Sequence, residues 1–325
     1  MNFQGKKILF IGPKFHDYEI MIKDQLELMG ASVDFCTERS YGFDFNIVNN
    51  FFSSYMGRYQ AKHYAKILKL TEGKTYDFLF VIRGYNMPIS FLEHFKKHNH
   101  DCVTIMYQWD SQRTNPFSHL VDSFDIVKTF DFEDSENLNI KYIPLFYTKD
   151  VENYRSKGKV YEFDFFFMGF FFEERYEGVL KFKEFCDSKG YKLKPFLYMP
   201  FTTRVKYFLK RKKLDRSIVS FKHMDRTQYL EILSKSRIMV DVSNPRQTGL
   251  AMRVIESLAC STKVATNNVF FKKDELVANS GMVSLFDLNN ISIEKEFFDL
   301  EINDDKKIVL SLEEWLKQIF YKDEA

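Results

Sequence analysis

The sequence predicts an α/β protein made of two doubly wound, Rossmann-like halves facing a cleft. Three observations predict it. Apolar runs of buried-strand length alternate with stretches of helical periodicity, and parallel strands of that kind need cover on both faces. The alternation breaks at Thr148–Val160, which is polar and without pattern, and then restarts. A length of 325 residues suits two domains of ordinary size.

The elements follow in order. Lys6–Gly12 (KKILFIG) is a continuous apolar run of strand length. Tyr18, Ile22, Leu26 and Met29 then share one helical face that stops at Gly30. Ala31–Thr37, Tyr76–Gly84, Cys102–Asp110, Asp125–Asp131 and Lys141–Tyr147 read as further strands, with a helix after Pro88. These elements form a first domain over residues 1–150. Beyond the linker, Tyr161–Gly169 is a strand and Glu173 to about Ser188 a helix. Asp225 with Gln228 three residues on opens another helix like a capping box. Arg237–Ser243 is a strand, Asn244–Gly249 a turn, Leu250–Cys260 a helix and Thr262–Asn267 a strand. They form a second domain over residues 160–305. Leu312, Trp315, Leu316 and Ile319 make one apolar stripe on a closing helix.

Composition excludes several classes. The 47 basic and 45 acidic side chains leave a net charge of +2, too balanced for a dedicated nucleic-acid binder. Four cysteines lie far apart with no CxxC pair, which argues against a zinc ribbon or a disulfide framework. The longest nearly apolar run, FDFFFMGFFF, carries Asp164 and is half the ~20 residues a spanning helix needs. With no signal-like start, the expected location is cytoplasmic, or the inner face of the cell membrane. No GxxxxGK[ST] is present and no GxGxxG follows a strand, so kinase and dehydrogenase readings lack their phosphate loop.

Val240–Asn268 carries the densest chemistry. Ala251, Val254, Ile255 and Leu258 space one buried helical face, which sends Arg253 and Glu256 together to the opposite side. A helix that opens just after a glycine offers free N–H groups to phosphate, and an arginine adds a bidentate contact. The alternative is an (i, i+3) salt bridge on a solvated face.

With these residues in place, the chain resembles the nucleotide-sugar-binding segment of GT-B glycosyltransferases. The pattern that carries the likeness is Q-x-G-L-x-M-R-x-x-E-x-L-A, after a strand and a short turn. It is most similar to the spore-maturation CgeB-like and the lipopolysaccharide or capsule biosynthesis glycosyltransferases. The likeness extends to Ile82–Gly84, Tyr107–Ser111, Phe130–Ser135, Tyr142–Tyr147, Phe165–Tyr176 and the terminal EEWLKQIF. It implies glycosyl transfer from a nucleotide-diphosphate sugar, UDP favoured, to a glycan or lipid-linked acceptor, with no cofactor and no metal. It implies that Glu256 binds the ribose and that Arg253 and Arg175 face the diphosphate. Gln247, Thr248 and Gly249 line the turn of the same donor site. It also implies that the closing segment, residues 306–325, packs back on the first domain. One departure stands out. Many retaining GT-B enzymes carry a second glutamate upstream of this helix, but the position eight residues before Glu256 is Thr248. A nucleotide-sugar epimerase, or a catalytically silent binding or assembly protein, is the alternative on this scaffold.

Other residues are candidates by position. Asp110 ends a strand, where it either orients or deprotonates an acceptor hydroxyl or caps the next turn. His16 is the second catalytic candidate, in the loop after the first strand. Arg83 ends another strand and is expected to line the cleft. His223 is expected beside the nucleotide base. Asp131, Glu133 and Asp134 have metal-ligand spacing but read as a solvated acidic loop. Ser188–Leu214 holds nine Lys or Arg and no acid, which leaves the remainder net negative. There Phe201, Val205, Phe208 and Leu209 read as an apolar helical face. Lys206, Lys210, Arg211, Lys212 and Lys213 flank it, a pattern suited to an anionic membrane surface. A solvated helix and a nucleic-acid groove are the alternatives for this stretch.

Overall fold

The computed structural model describes residues 3–155, 160–302 and 308–321. The chain divides into two compact units, Met1–Pro144 with Leu312–Ala325, and Leu145–Ser311. The division thus falls before the polar stretch expected to be the linker. Part of that stretch, Lys149–Tyr154, is a 3₁₀ turn belonging to the second unit; residues 156–159 lie outside the described ones.

In the first unit the strands are β1 (Lys7–Gly12), β2 (Ser32–Thr37), β3 (Phe78–Ile82), β4 (Val103–Gln108), β5 (Ile126–Thr129) and β6 (Lys141–Tyr142). All pair in parallel, in the order β2-β1-β3-β4-β5-β6. The expected strand Lys141–Tyr147 is split: Pro144 has no N–H to give, and the chain changes unit there. The helices are α1 (Tyr18–Leu28), α2 (Phe43–Phe51), α3 (Met56–Leu70), α4 (Ile89–His98) and α5 (Phe132–Leu138).

Period-two alternation sends β1 and β3 side chains to two cores. Leu9, Ile11, Leu79 and Val81 pack with Tyr64 and Ile67 of α3 and Phe91 and Phe95 of α4. On the other face Phe10 stacks on Phe80 at 5.2 Å, and Phe80 meets Trp315 and Phe320 of the terminal helix Leu312–Phe320. Trp315 is fully buried and edges onto Tyr107 at 4.9 Å. The buried Lys128 ammonium donates to the carbonyls of Gln318 and Tyr321, 2.6 Å each, and so caps that helix at its negative end.

In the second unit the strands are β7 (Phe146–Tyr147), β8 (Phe163–Phe170), β9 (Leu193–Tyr198), β10 (Val219–Ser220), β11 (Ser236–Asp241), β12 (Lys263–Thr266), β13 (Val283–Leu285) and β14 (Leu310–Ser311). Six of them form a parallel sheet, β10-β9-β8-β11-β12-β13, and β14 pairs separately with β7. The helices are α6 (Glu173–Lys189), α7 (Phe201–Leu209), α8 (Arg226–Ser234), α9 (Met252–Ala259), α10 (Glu275–Ala278) and α11 (Lys295–Asp299). The run of phenylalanines in β8 follows from its place inside the sheet. Phe165 and Phe167 join α6 in one core, while Phe166 faces Tyr229 of α8.

The basic stretch Ser188–Leu214 is not one helix. It runs from the end of α6 through β9 into α7, and α7 ends at Leu209, so Lys210–Lys213 occupy the following turn rather than a helical flank. Arg211 breaks the helix with a left-handed φ of 52°.

Candidate functional site

Both sheets have a point where strand order reverses. Strands leave in opposite directions from β1 and β3 in the first unit, and from β8 and β11 in the second. At such a point the loops separate and open a crevice at the carboxyl ends of the strands.

In the second unit that point is occupied by two arginines. Arg175, in the first turn of α6, donates from Nη1 to the Phe170 carbonyl (3.0 Å) and from Nε to the Val242 carbonyl (3.1 Å). It thereby ties the end of β8 to the end of β11. Gly169 leaves room for it, since a Cβ there would lie 3.3 Å from Arg175 Nη1. Arg253 donates to the same Val242 carbonyl at 3.2 Å and pairs with Asp241 at 2.5 Å. Asp241 is fixed in turn by the Thr266 hydroxyl at 2.7 Å.

The charge here does not balance. Arg175 and Arg253 are both largely buried, at 7% and 12% exposure, and Asp241 pairs with Arg253. Burial and the neighbouring Arg253 push the Arg175 guanidinium well down from its ordinary value, with Asp241 opposing. Among the described residues, buried Arg253 Nε has no hydrogen-bond acceptor. An arrangement with surplus positive charge and an unused buried donor suits an anion. The start of α9 adds to it: Ala251 caps the helix in an extended conformation with no side-chain cap bond.

The loop before α9 is held in place by two asparagines. Asn267 accepts the Ser243 N–H at 2.8 Å, and Asn268 Nδ2 donates to the Thr248 carbonyl at 2.9 Å. Thr248 is buried, and Gln247 closes a turn onto the Asn244 carbonyl at 3.0 Å. Gly249, next to Thr248, is buried as well.

Glu256 corrects the sequence expectation. It lies on no solvated face and does not pair with Arg253. It is buried and accepts from Arg226 Nη1 at 2.9 Å. Arg226 also binds Asp150 and the Thr148 hydroxyl, at 2.5 Å and 2.6 Å. Burial alone would raise the Asp150 carboxyl, but Arg226 and Thr148 outweigh it and hold it below its ordinary value. Helical periodicity does not reveal this burial, because α9 is covered all round: Val254 to Ala259 are all buried.

His223 stacks on Tyr198 with ring centroids 3.8 Å apart, and Phe170 edges onto Tyr198. His223 and Phe170 are exposed and Tyr198 half-buried, and the group stands at the carboxyl ends of β8 and β9.

In the first unit the switch point holds Arg83 between two carboxylates, Glu38 and, at 3.1 Å, Asp110. Arg83 has a left-handed φ of 69°, a costly conformation for a side-chain-bearing residue. Gln108 and Asn115 hold it there by donating to its carbonyl at 3.0 and 3.1 Å. Asp110 therefore pairs with Arg83, a role neither sequence expectation included. Glu38, fully buried, was missed altogether. His16 is exposed, its ring edge-on to Phe15, which in turn meets Trp109. Among the described residues no cluster of three or more His, Cys, Asp or Glu is placed to hold a metal. Asp131 caps α5, and Asp134 accepts from the Gln112 N–H at 2.7 Å.

The sequence matches no family model and no curated protein. Solved structures do match. An α-glucosyltransferase in complex with UDP and a 13-mer DNA aligns over 88% of this chain and 87% of its own, at 14% identity and a TM-score of 0.55. The OtsA apo structure aligns over 86% and 88%, at 9% identity and a TM-score of 0.53. A glycosyltransferase from Rickettsia africae ESF-5 aligns over 88% and 85%, at 13% identity and a TM-score of 0.51. The fold is that of the GT-B glycosyltransferases. Within this GT-B fold, the second unit carries the paired arginines and the first carries the Arg83 cluster. No helix among the described residues is long and apolar enough to cross a membrane.

Proposed function

We propose that the protein is a glycosyltransferase that takes its sugar from a nucleotide-diphosphate donor. The observation that carries this reading is the pair of buried guanidiniums at the second unit's switch point, offset there by Asp241 and leaving a buried N–H unused. A departing nucleoside diphosphate gains negative charge as the glycosidic bond breaks. Arg175, Arg253 and the start of α9 are already oriented to meet it, so little reorganisation is needed in the transition state. The reading gives Glu256 the ribose hydroxyls, since a carboxylate has lone pairs for both Arg226 and a sugar. It gives the Tyr198–His223 stack the base. UDP is favoured, in keeping with the UDP in the solved α-glucosyltransferase complex.

The acceptor we assign is a glycan or a lipid-linked sugar in surface polysaccharide assembly. That assignment rests on the CgeB-like and lipopolysaccharide-type motifs. A metal is not needed in this scheme, because the arginines supply the charge, Asp131 is engaged as the cap of α5 and Asp134 accepts from the Gln112 N–H. A second reading, a nucleotide-sugar-binding protein without catalysis, is favoured by Thr248, a buried hydroxyl where many retaining enzymes have a glutamate.

The test is a thermal-shift screen over UDP, GDP, CMP and dTDP sugars, followed by an assay of nucleotide release with and without acceptor. Stabilisation by one donor class with acceptor-dependent release is expected. Stabilisation without release supports the second reading, and no stabilisation by any donor contradicts both.

A further inference from the structure

The second unit carries a surface that donor binding does not use. Along α7, Phe201, Phe208 and Leu209 are 74%, 80% and 73% exposed, and Val205 is exposed beside them. No residue of this helix is buried. Three large apolar side chains standing nearly free on nine residues are costly in water and need a partner.

What surrounds them identifies the partner by its charge. Arg204 and Lys206 are exposed on the helix, and Lys210, Arg211 and Lys213 are exposed in the turn that follows. From Ser188 to Leu214 there is no acidic residue. Glu173 of α6 reaches in from outside this stretch and pairs with Lys212. Asp215, next along the chain, is half-buried and held by Ser217. Phenylalanine and leucine that protrude among unpaired-sign cations match an anionic lipid surface, where the rings enter the acyl boundary and the cations meet the headgroups. A nucleic-acid groove would instead present its aromatics flat for stacking beside the cations. Here Tyr207 turns inward onto Phe171 at 5.0 Å and Tyr198 is already stacked on His223 at 3.8 Å.

We infer that α7 and the turn after it dock the protein on the surface of an anionic bilayer, with Phe201, Phe208 and Leu209 as the inserted side chains. The inference does not depend on the donor reading, since no residue of α7 lies among the arginines of the switch point.

The experiment is co-sedimentation of the whole protein with phosphatidylcholine vesicles, with and without phosphatidylglycerol. It is run at about 0.1 M and about 1 M salt, where the Debye length falls from about 10 Å to about 3 Å. Two surface variants are compared with the wild type. One replaces Lys206, Lys210, Arg211 and Lys213 with Gln and leaves Lys212 with Glu173; the other is Phe201→Ser with Phe208→Ser. Each cation near an anionic surface is worth about fivefold in partitioning, so the first variant loses at least about a hundredfold. A control variant alters the other exposed aromatic helix, α2, by Phe43→Ser and Phe51→Ser. Unchanged thermal melts confirm that each variant is folded. Expected is binding to anionic vesicles only, weakened by salt, lost in both α7 variants and kept in the α2 variant. The inference is overturned if the wild type fails to pellet, if the α7 variants pellet like it, or if only the α2 variant loses binding. Binding to duplex DNA in place of vesicles would overturn it too.

Discussion

Replacing Asp241 by Asn probes the charge imbalance directly. Asp241 is 1% exposed, pairs with Arg253 at 2.5 Å and accepts from Thr266 at 2.7 Å. Asn keeps the size and the acceptor for Thr266 but removes the charge that offsets two guanidiniums. Breaking one side of a buried ion pair costs about 3–5 kcal/mol. We expect about 3–4, because Arg253 is a little exposed. At roughly 2–4 °C per kcal/mol for a domain of this size, the melting temperature should fall by about 6–16 °C. The same change should improve anion binding, since no carboxylate then competes for Arg253. A nucleoside diphosphate at about a hundred times its Kd stabilises a protein by about 2.7 kcal/mol, and at a fixed concentration the tighter-binding variant should gain more. The assay is thermal denaturation of both proteins over a nucleotide titration. A variant as stable as the wild type, or one that gains no more from the nucleotide, refutes the reasoning.

Three further outcomes are expected. Burial pushes the Asp134 carboxyl up to about 6, so between about pH 4 and 6 the folded state holds a proton that the unfolded state has released. Stability therefore falls as pH rises through that window, and Asp134→Asn should be about 1–2 kcal/mol more stable than wild type at neutral pH, allowing for solvent screening of a partly shielded carboxyl, but equal at about pH 4; parallel pH–stability curves would contradict this. Lys128→Met should cost about 2–3 kcal/mol by uncapping the terminal helix and make that helix the first site of limited proteolysis; an unchanged melt and cleavage pattern would count against the cap. Chelation should leave nucleotide release intact, whereas loss with EDTA and recovery with manganese would place a metal in the mechanism.

Much of the architecture was legible because its strands are buried on both faces. β1, β3, β4, β8 and β11 all appear as apolar runs, and the capping residue Asp225 marks α8 as its spacing implied. The region from Phe43 to Leu70 was not legible, since α2 buries Phe45 but turns Phe43, Ile47 and Phe51 outward, and the buried face of α3 mixes the polar Gln60 with Met56, Tyr64 and Ile67. β9 was hidden by Lys194 and Pro195, which interrupt its apolar run, and by burial that is full only at Leu197. At the site, Arg175 and Arg253 were singled out from motif and position. Their shared acceptor, the Val242 carbonyl, is a backbone atom and leaves no trace in residue types. Glu38 and Arg226 were missed for a related reason. Their partners lie 45 and 76 residues away, and only the folded chain brings them together.

The central claim is that the arginines at the second unit's switch point bind a diphosphate. The measurement that tests it most directly is calorimetric titration with a nucleoside diphosphate and with its parent nucleoside, using the base that gives the largest thermal shift. Two charge-assisted contacts worth about 1.5–3 kcal/mol each should make the diphosphate bind at least about a hundredfold more tightly. Arg253→Lys keeps a charge for Asp241 but loses the planar fork, and should surrender about tenfold of that advantage. Equal affinity for diphosphate and nucleoside, or an Arg253→Lys protein that binds the diphosphate as the wild type does, would contradict the account.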